Sequence, residues 1–187
     1  MADVLILCGQ VWSGKTTYAK HLCKTEDYVY FDFDNVLHWE IQQLMRKEKK
    51  SLTIQQDVTI FLEKLNDFLG TNRKVVIDGW FSWAGEWEKA AYDNYSIWER
   101  FLALPNVKGK AVELAYCCQR KSIIEDRFLK WSKTNMPKIY FSNNICSKRK
   151  DIILSSGVPI SRYVGLPIKG DNYVDSTMQP SWGEEWL

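Results

Sequence analysis

The chain has 187 residues, 45% hydrophobic and 26% charged, with a formal net charge of +2. That fits a single domain over residues 1–187 with a proper core, and a charge so near neutral does not by itself mark a nucleic-acid binder. Five cysteines, an odd number without a C-x-x-C pair, argue against a disulfide framework or zinc site; with no signal-like opening and no membrane-length apolar run, a cytoplasmic protein with reduced thiols is expected.

The first element is Val4-Leu5-Ile6-Leu7-Cys8, a short apolar run suited to a buried strand. It leads into Gly9-Gln10-Val11-Trp12-Ser13-Gly14-Lys15-Thr16, which fits G-x-x-x-x-G-K-[ST], the phosphate-binding P-loop. Behind it Tyr18/Leu22 and Ala19/Cys23 recur four apart, as on one helix face. Gly9 and Gly14 let the backbone curl so that its N–H groups converge on phosphate oxygens, and the following helix adds the positive end of its dipole. Gly9, Trp12, Ser13, Gly14, Lys15, Thr16 and Thr17 are the expected contacts of a nucleoside triphosphate. Lys15 places a full charge on its terminal phosphates, and the Thr16 hydroxyl is placed to ligate the accompanying Mg2+.

A second strand is read at Tyr28-Val29-Tyr30-Phe31 from its aromatic and β-branched content. It ends in Asp32-Phe33-Asp34-Asn35; taken as strand, Asp32 and Asp34 share one side. Residues 46–50 are polar enough for an exposed corner. Then Ile54, Val58, Phe61, Leu65 and Phe68 mark an amphipathic helix, with Gly70 as its stop. Lys74-Val75-Val76-Ile77-Asp78-Gly79 is the third strand. Ser82 is a candidate cap for a helix carrying Trp83, Trp87, Ala90, Ala91, Asn94, Trp98 and Phe101 on one side, ended by Pro105-Asn106. Residues 111–117 make a fourth strand, and a helix over 122–132 turns Ile123, Ile124, Phe128 and Trp131 inward. Residues 133–150 read as irregular, residues 161–165 as a fifth, edge strand, and the tail from Asp171 as an aperiodic segment packing back on the domain.

Strands alternating with helices imply right-handed βαβ units: an α/β fold of about five mostly parallel strands with helices on both faces. Ligands of such sheets bind at the carboxyl ends of the strands, where the P-loop, Asp32, Asp34 and Asp78 would all meet. Phosphoryl transfer needs a phosphate cradle, a metal, a group to position the attacking hydroxyl, and positive charge over the moving phosphoryl. Thr16, with Asp78 through a water, answers for the metal, and Asp78 reads equally well as a strand-end acid capping a turn. Asp34 is the candidate base, Asp32 its competitor, and either is equally able to cap the following helix. Arg120 and Arg127, two helical turns apart, are the candidates for the charge, within a basic lid over about 118–150. Trp80, Phe81 and Trp83, just past strand three, are placed to stack a base; core packing explains Trp83 equally well.

These residues resemble the small P-loop kinases, and within them the branch of polynucleotide 5′-hydroxyl kinases, zeta-toxin-like kinases and related phosphotransferases. The likeness runs over residues 3–130 and rests on Gly9 to Thr17, the acids of Phe31-Asp32-Phe33-Asp34-Asn35, the strand ending in Asp78-Gly79, and Arg120 with Arg127. It implies Asp34 as the catalytic base, in the place of an Asp-Asp pair that here reads Asp34-Asn35, and lid arginines at Arg120 and Arg127. The arginine that commonly follows the acids is replaced here by Val36-Leu37-His38, and Trp12 is unusual in such a loop. The reaction expected is transfer from ATP to a hydroxyl of DNA, RNA (a 5′ end or a hydroxymethylated base), a nucleoside or a nucleotide. A nucleoside monophosphate kinase is the nearest rival. A nucleotide-gated switch or NTPase is a second class, weakened by the lack of switch signatures and of a guanine-reading Asn-Lys-x-Asp.

Overall fold

In the computed structural model, Val4–Gly9 forms β1, and every residue from Val4 to Cys8 is buried. Pleating sends Val4, Ile6 and Cys8 to one face and Leu5 and Leu7 to the other. Both faces must therefore be covered, which is why the strand reads as an unbroken apolar run. The structure describes residues 2–10, 12–48, 54–79, 94–135, 159–165 and 174–176.

The remaining elements are α1 (Lys15–Thr25), β2 (Val29–Asp32), a π-helical turn (Asn35–Glu40) running into α2 (Ile41–Glu48), α3 (Ile54–Thr71), β3 (Val75–Asp78), α4 (Asn94–Leu102), β4 (Val112–Cys118), α5 (Lys121–Asn135), β5 (Arg162–Gly165) and β6 (Val174–Ser176). The sheet order is β2-β3-β1-β4-β5-β6. The first five strands in that order pair in parallel, and β6 pairs antiparallel with β5. One face packs on Tyr18, Ala19 and Leu22 of α1. The other packs on Phe61 and Leu65 of α3 and on Trp98 and Phe101 of α4. This is the three-layer α/β sandwich expected. No helix among the described residues is long and apolar enough to cross a membrane.

Several expectations are corrected. The segment at 161–165 is not an edge, because β6, from the tail, covers it. The corner read at 46–50 is helical through Glu48. Arg46 and Lys47 are good helix formers that suit the negative end of the dipole, so polarity there marks a solvated last turn. Gly70 lies inside α3 rather than after it. Its missing side chain leaves room for Asn106, whose Nδ2 donates to the Asn66 carbonyl at 2.9 Å. Helix α5 extends to Asn135, past the expected end at 132. The cap at Ser82 and the positions Trp83, Trp87, Ala90 and Ala91 lie outside the described residues, as do residues 136–150 of the expected lid.

The largest departure follows β2. The strand stops at Asp32, and Phe33 and Asp34 already take helical conformation. The Asp32 Oδ1 accepts the Asn35 N–H at 3.0 Å, a cap that turns the chain out of the sheet. Asp32 and Asp34 therefore do not share a strand face. The turn that follows is wound wide, with Ile41 N–H donating to the Val36 carbonyl five residues back. That winding places Val36 and Ile41, both buried, on the inner side. It leaves Glu40 outside, 2.8 Å from Lys64 of α3.

Candidate active site

The loop between β1 and α1 is built on backbone conformations that side chains resist. Gly9 has φ 134° and Gly14 φ 108°. A β-carbon at Gly9 would run into the Cys117 carbonyl of the adjacent β4. Gly9→Ala is expected to cost about 1–3 kcal/mol or more, from overlap and strain together, as read by urea denaturation. Trp12 takes a left-handed φ of 61° without being glycine, a conformation that costs energy and needs support. Support comes from α5. The Arg127 Nη1 donates to the Trp12 and Ser13 carbonyls at 2.7 and 3.1 Å, and the Phe128 ring lies 5.2 Å from the Trp12 ring.

Lys15 lies along the loop, its Nζ donating to the Gln10 carbonyl at 2.8 Å and the Gly9 carbonyl at 3.2 Å. An ammonium has three donors, so one remains for an anionic oxygen. Thr16 and Thr17 are exposed in the first turn of α1, which holds no acidic residue to oppose an anion at the positive end of the dipole. The Ser13 hydroxyl is buried in the loop without a partner among the described residues. Such a buried polar atom calls for a further partner, a water or a bound group. The cradle fits a polyphosphate on each of these counts.

The carboxylates sit beside it. Asp32 and Asp78 are register partners at the ends of β2 and β3, and Leu7 of β1 partners Asp78 on the other side. Asp78 is buried, at 7% exposure. It shares its face with Val76, which packs against α1, so Asp78 is on the side from which Thr16 rises. Tyr30 donates its phenol to Asp78 Oδ2 at 2.9 Å. Burial first, then the Asp78 and Asp32 carboxylates, hold that phenol far above its ordinary range, so it stays a donor. Nothing local in the sequence marks Tyr30, since its partner is 48 residues away. Tyr30→Phe leaves a buried carboxylate short of a donor and is expected to cost about 1–3 kcal/mol, measured by urea denaturation against the parent.

Asp34 stands apart from this pair, exposed in the first turn after β2. Hard oxygen donors from Thr16, Asp32 and Asp78 suit magnesium. Among the described residues no three or more His, Cys, Asp or Glu side chains gather into a metal cage. Magnesium commonly relies on one or two carboxylates plus substrate phosphates, so this donor set still fits it.

The basic residues divide. Arg127 reaches the P-loop, whereas Arg120 is exposed just before α5, its N–H bonded to Gln119 Oε1 at 2.8 Å. Gln119, which no sequence motif marks, is fully buried, with its Nε2 lacking a partner among the described residues. Lys130 pairs with Asp126 and Lys121 with Glu125 along the helix surface, as in a solvated face. Trp80 lies outside the described residues. Cys8, Cys23, Cys117 and Cys118 are free thiols. Burial pushes Cys8 up to about 12, only partly offset by Lys15, so it is no nucleophile.

No protein-family model matches the chain, and no curated protein is significantly similar to it. Solved structures are similar. A shikimate kinase from Acinetobacter baumannii, in complex with shikimate, superposes with a TM-score of 0.53 at 12% identity, over 91% of this chain and 86% of its own. The YorR protein from Bacillus subtilis, in complex with phosphorylated GDP, gives 0.51 at 14% identity, over 87% of this chain and 84% of its own. These likenesses do not single out the polynucleotide-kinase branch. At such identities they concern the fold: the chain has the α/β architecture of the P-loop kinases.

Proposed function

We propose that the protein is an ATP-dependent phosphotransferase that moves the γ-phosphoryl group to a hydroxyl of a nucleoside, a nucleotide or a nucleic acid. The observation that carries this reading is the juxtaposition at one sheet edge. A glycine-built cradle with Lys15 and the start of α1 faces a pair of strand-end carboxylates, and a third carboxylate, Asp34, is exposed just past the end of β2.

The roles follow from position. The loop N–H groups and Lys15 hold the phosphates and spread the charge that builds on them. Thr16, Asp32 and Asp78 would hold magnesium, which when bound neutralises charge on the phosphate oxygens. Tyr30 fixes the Asp78 carboxylate in place. Asp32 is committed by its cap to the Asn35 N–H and shares the α1 side of the sheet with Asp78, so we assign it to the metal. Asp34, exposed just past the end of β2, we assign to the acceptor. As the acceptor oxygen bonds to the γ-phosphorus and the bond to the β-phosphate bridging oxygen breaks, the hydroxyl proton passes to the Asp34 carboxylate. Arg127 has donors beyond the nitrogen that holds the loop. With Arg120 it supplies positive charge from the α5 side.

The test is incubation with γ-labelled ATP and Mg2+ against a panel of nucleosides, nucleoside monophosphates and 5′-hydroxyl oligonucleotides. Label on an acceptor is the expected result. Label on monophosphates alone makes the protein a nucleoside monophosphate kinase. Release of free phosphate without an acceptor makes it an NTPase or switch and overturns the proposal.

A further inference from the structure

The outer side of the stretch after β2 carries an arrangement that the roles above do not use. Trp39 is 65% exposed, whereas Trp98 is buried in the core. A single exposed aromatic is ordinary on a protein surface; its register makes this one different. Through the π-helical turn, hydrogen bonds join residues five apart, so such positions come round to the same side. On the inner side these are Val36 and Ile41. On the outer side they are Asp34 and Trp39, both exposed. In an ordinary α-helix five residues would swing the two well apart. Single π turns are uncommon and recur at functional sites, and here the turn aligns a broad ring with the acid assigned to the acceptor proton.

The polar groups around Trp39 limit what lies on it. The described exposed side chains around Trp39 are Asp34, Asn35 and Glu40, with Gln43 one turn further on, and Glu40 is tied to Lys64. That is one wide apolar plane with few hydrogen-bonding groups. A polyol needs a partner at nearly every carbon. A flat heteroaromatic ring needs a plane and one or two groups for its edge, which the Asn35 amide provides.

Resting on the phosphotransferase reading, we infer that Trp39 is a stacking platform for the acceptor, and that the acceptor bears a nucleobase. The base lies on the indole while a hydroxyl of its sugar reaches Asp34, about one turn of helix away, roughly 5 Å. A free nucleoside or nucleotide and the terminal nucleotide of a single strand share this chemistry.

The experiment measures transfer of label from ATP to the four nucleosides, their monophosphates, a 5′-hydroxyl oligonucleotide, D-gluconate and shikimate, for the parent, Trp39→Phe and Trp39→Ala. With the best nucleobase-bearing acceptor, Trp39→Ala is expected to raise the acceptor KM about 5- to 150-fold, the worth of one stacked base. The KM for ATP, the kcat at saturating acceptor and the melting temperature stay near the parent's, and Trp39→Phe recovers most of the loss. The oligonucleotide arm against the monomer arms separates the two sources of base. Label moving only to gluconate or shikimate, or an unchanged acceptor KM in Trp39→Ala, overturns the platform while leaving the phosphotransferase standing. Label on no acceptor at all overturns both.

Discussion

Lys15→Ala is expected to lower phosphoryl transfer by about a hundred- to a thousandfold, the usual loss when one preorganised donor is removed from a site where charge develops. The fold should survive. Lys15 is half-buried and its two bonds run to loop carbonyls at the protein surface, so their loss costs about 1–3 kcal/mol. The diagnostic pair of measurements is therefore turnover with labelled ATP and the rise in melting temperature on adding Mg-ATP. The parent shows both; the variant keeps its own melting temperature and loses the rise. A variant that turns over like the parent would remove the P-loop from the chemistry.

Asp34→Asn and Asp32→Asn are expected to fail in different ways. Asp34→Asn removes the proton acceptor, and kcat should fall about 10²- to 10⁴-fold with ATP affinity kept. Asp32→Asn keeps a side-chain oxygen able to accept the Asn35 N–H, since Asn caps as well as Asp. Its stability should hold while the charge facing magnesium is lost. Rate against Mg2+ concentration should shift to higher concentration for Asp32→Asn and stay in place for Asp34→Asn. If the two profiles are exchanged, Asp32 is the base.

These tests concern what the sequence left open, and the reason is physical. The P-loop was legible because all its parts are contiguous: an apolar strand, two glycines, Lys15-Thr16 and the helix behind them. The parallel sheet was legible because unbroken apolar runs such as residues 4–8 and 75–77 belong to strands buried on both faces. The choice between Asp32 and Asp34 was not legible. It turns on where β2 stops, which is set by one capping bond and the burial of Phe33 rather than by any period. The wide turn at 35–40 was invisible for the same kind of reason, since one extra residue in a single turn leaves no repeat. Tyr30 meets Asp78, and Arg127 meets the Trp12 and Ser13 carbonyls, only once the chain has folded. The covering of β5 was missed because three residues of the tail suffice to make β6.

The grip of α5 on Trp12 and Ser13 has a thermodynamic corollary. Whatever stiffens the loop also fastens the helix, and by reciprocity whatever loosens the helix slackens the loop. On the proposed reading, a bound nucleotide would then steady α5 as well as the loop, and a substitution at Phe128, remote from the bond being made, would weaken the hold on nucleotide.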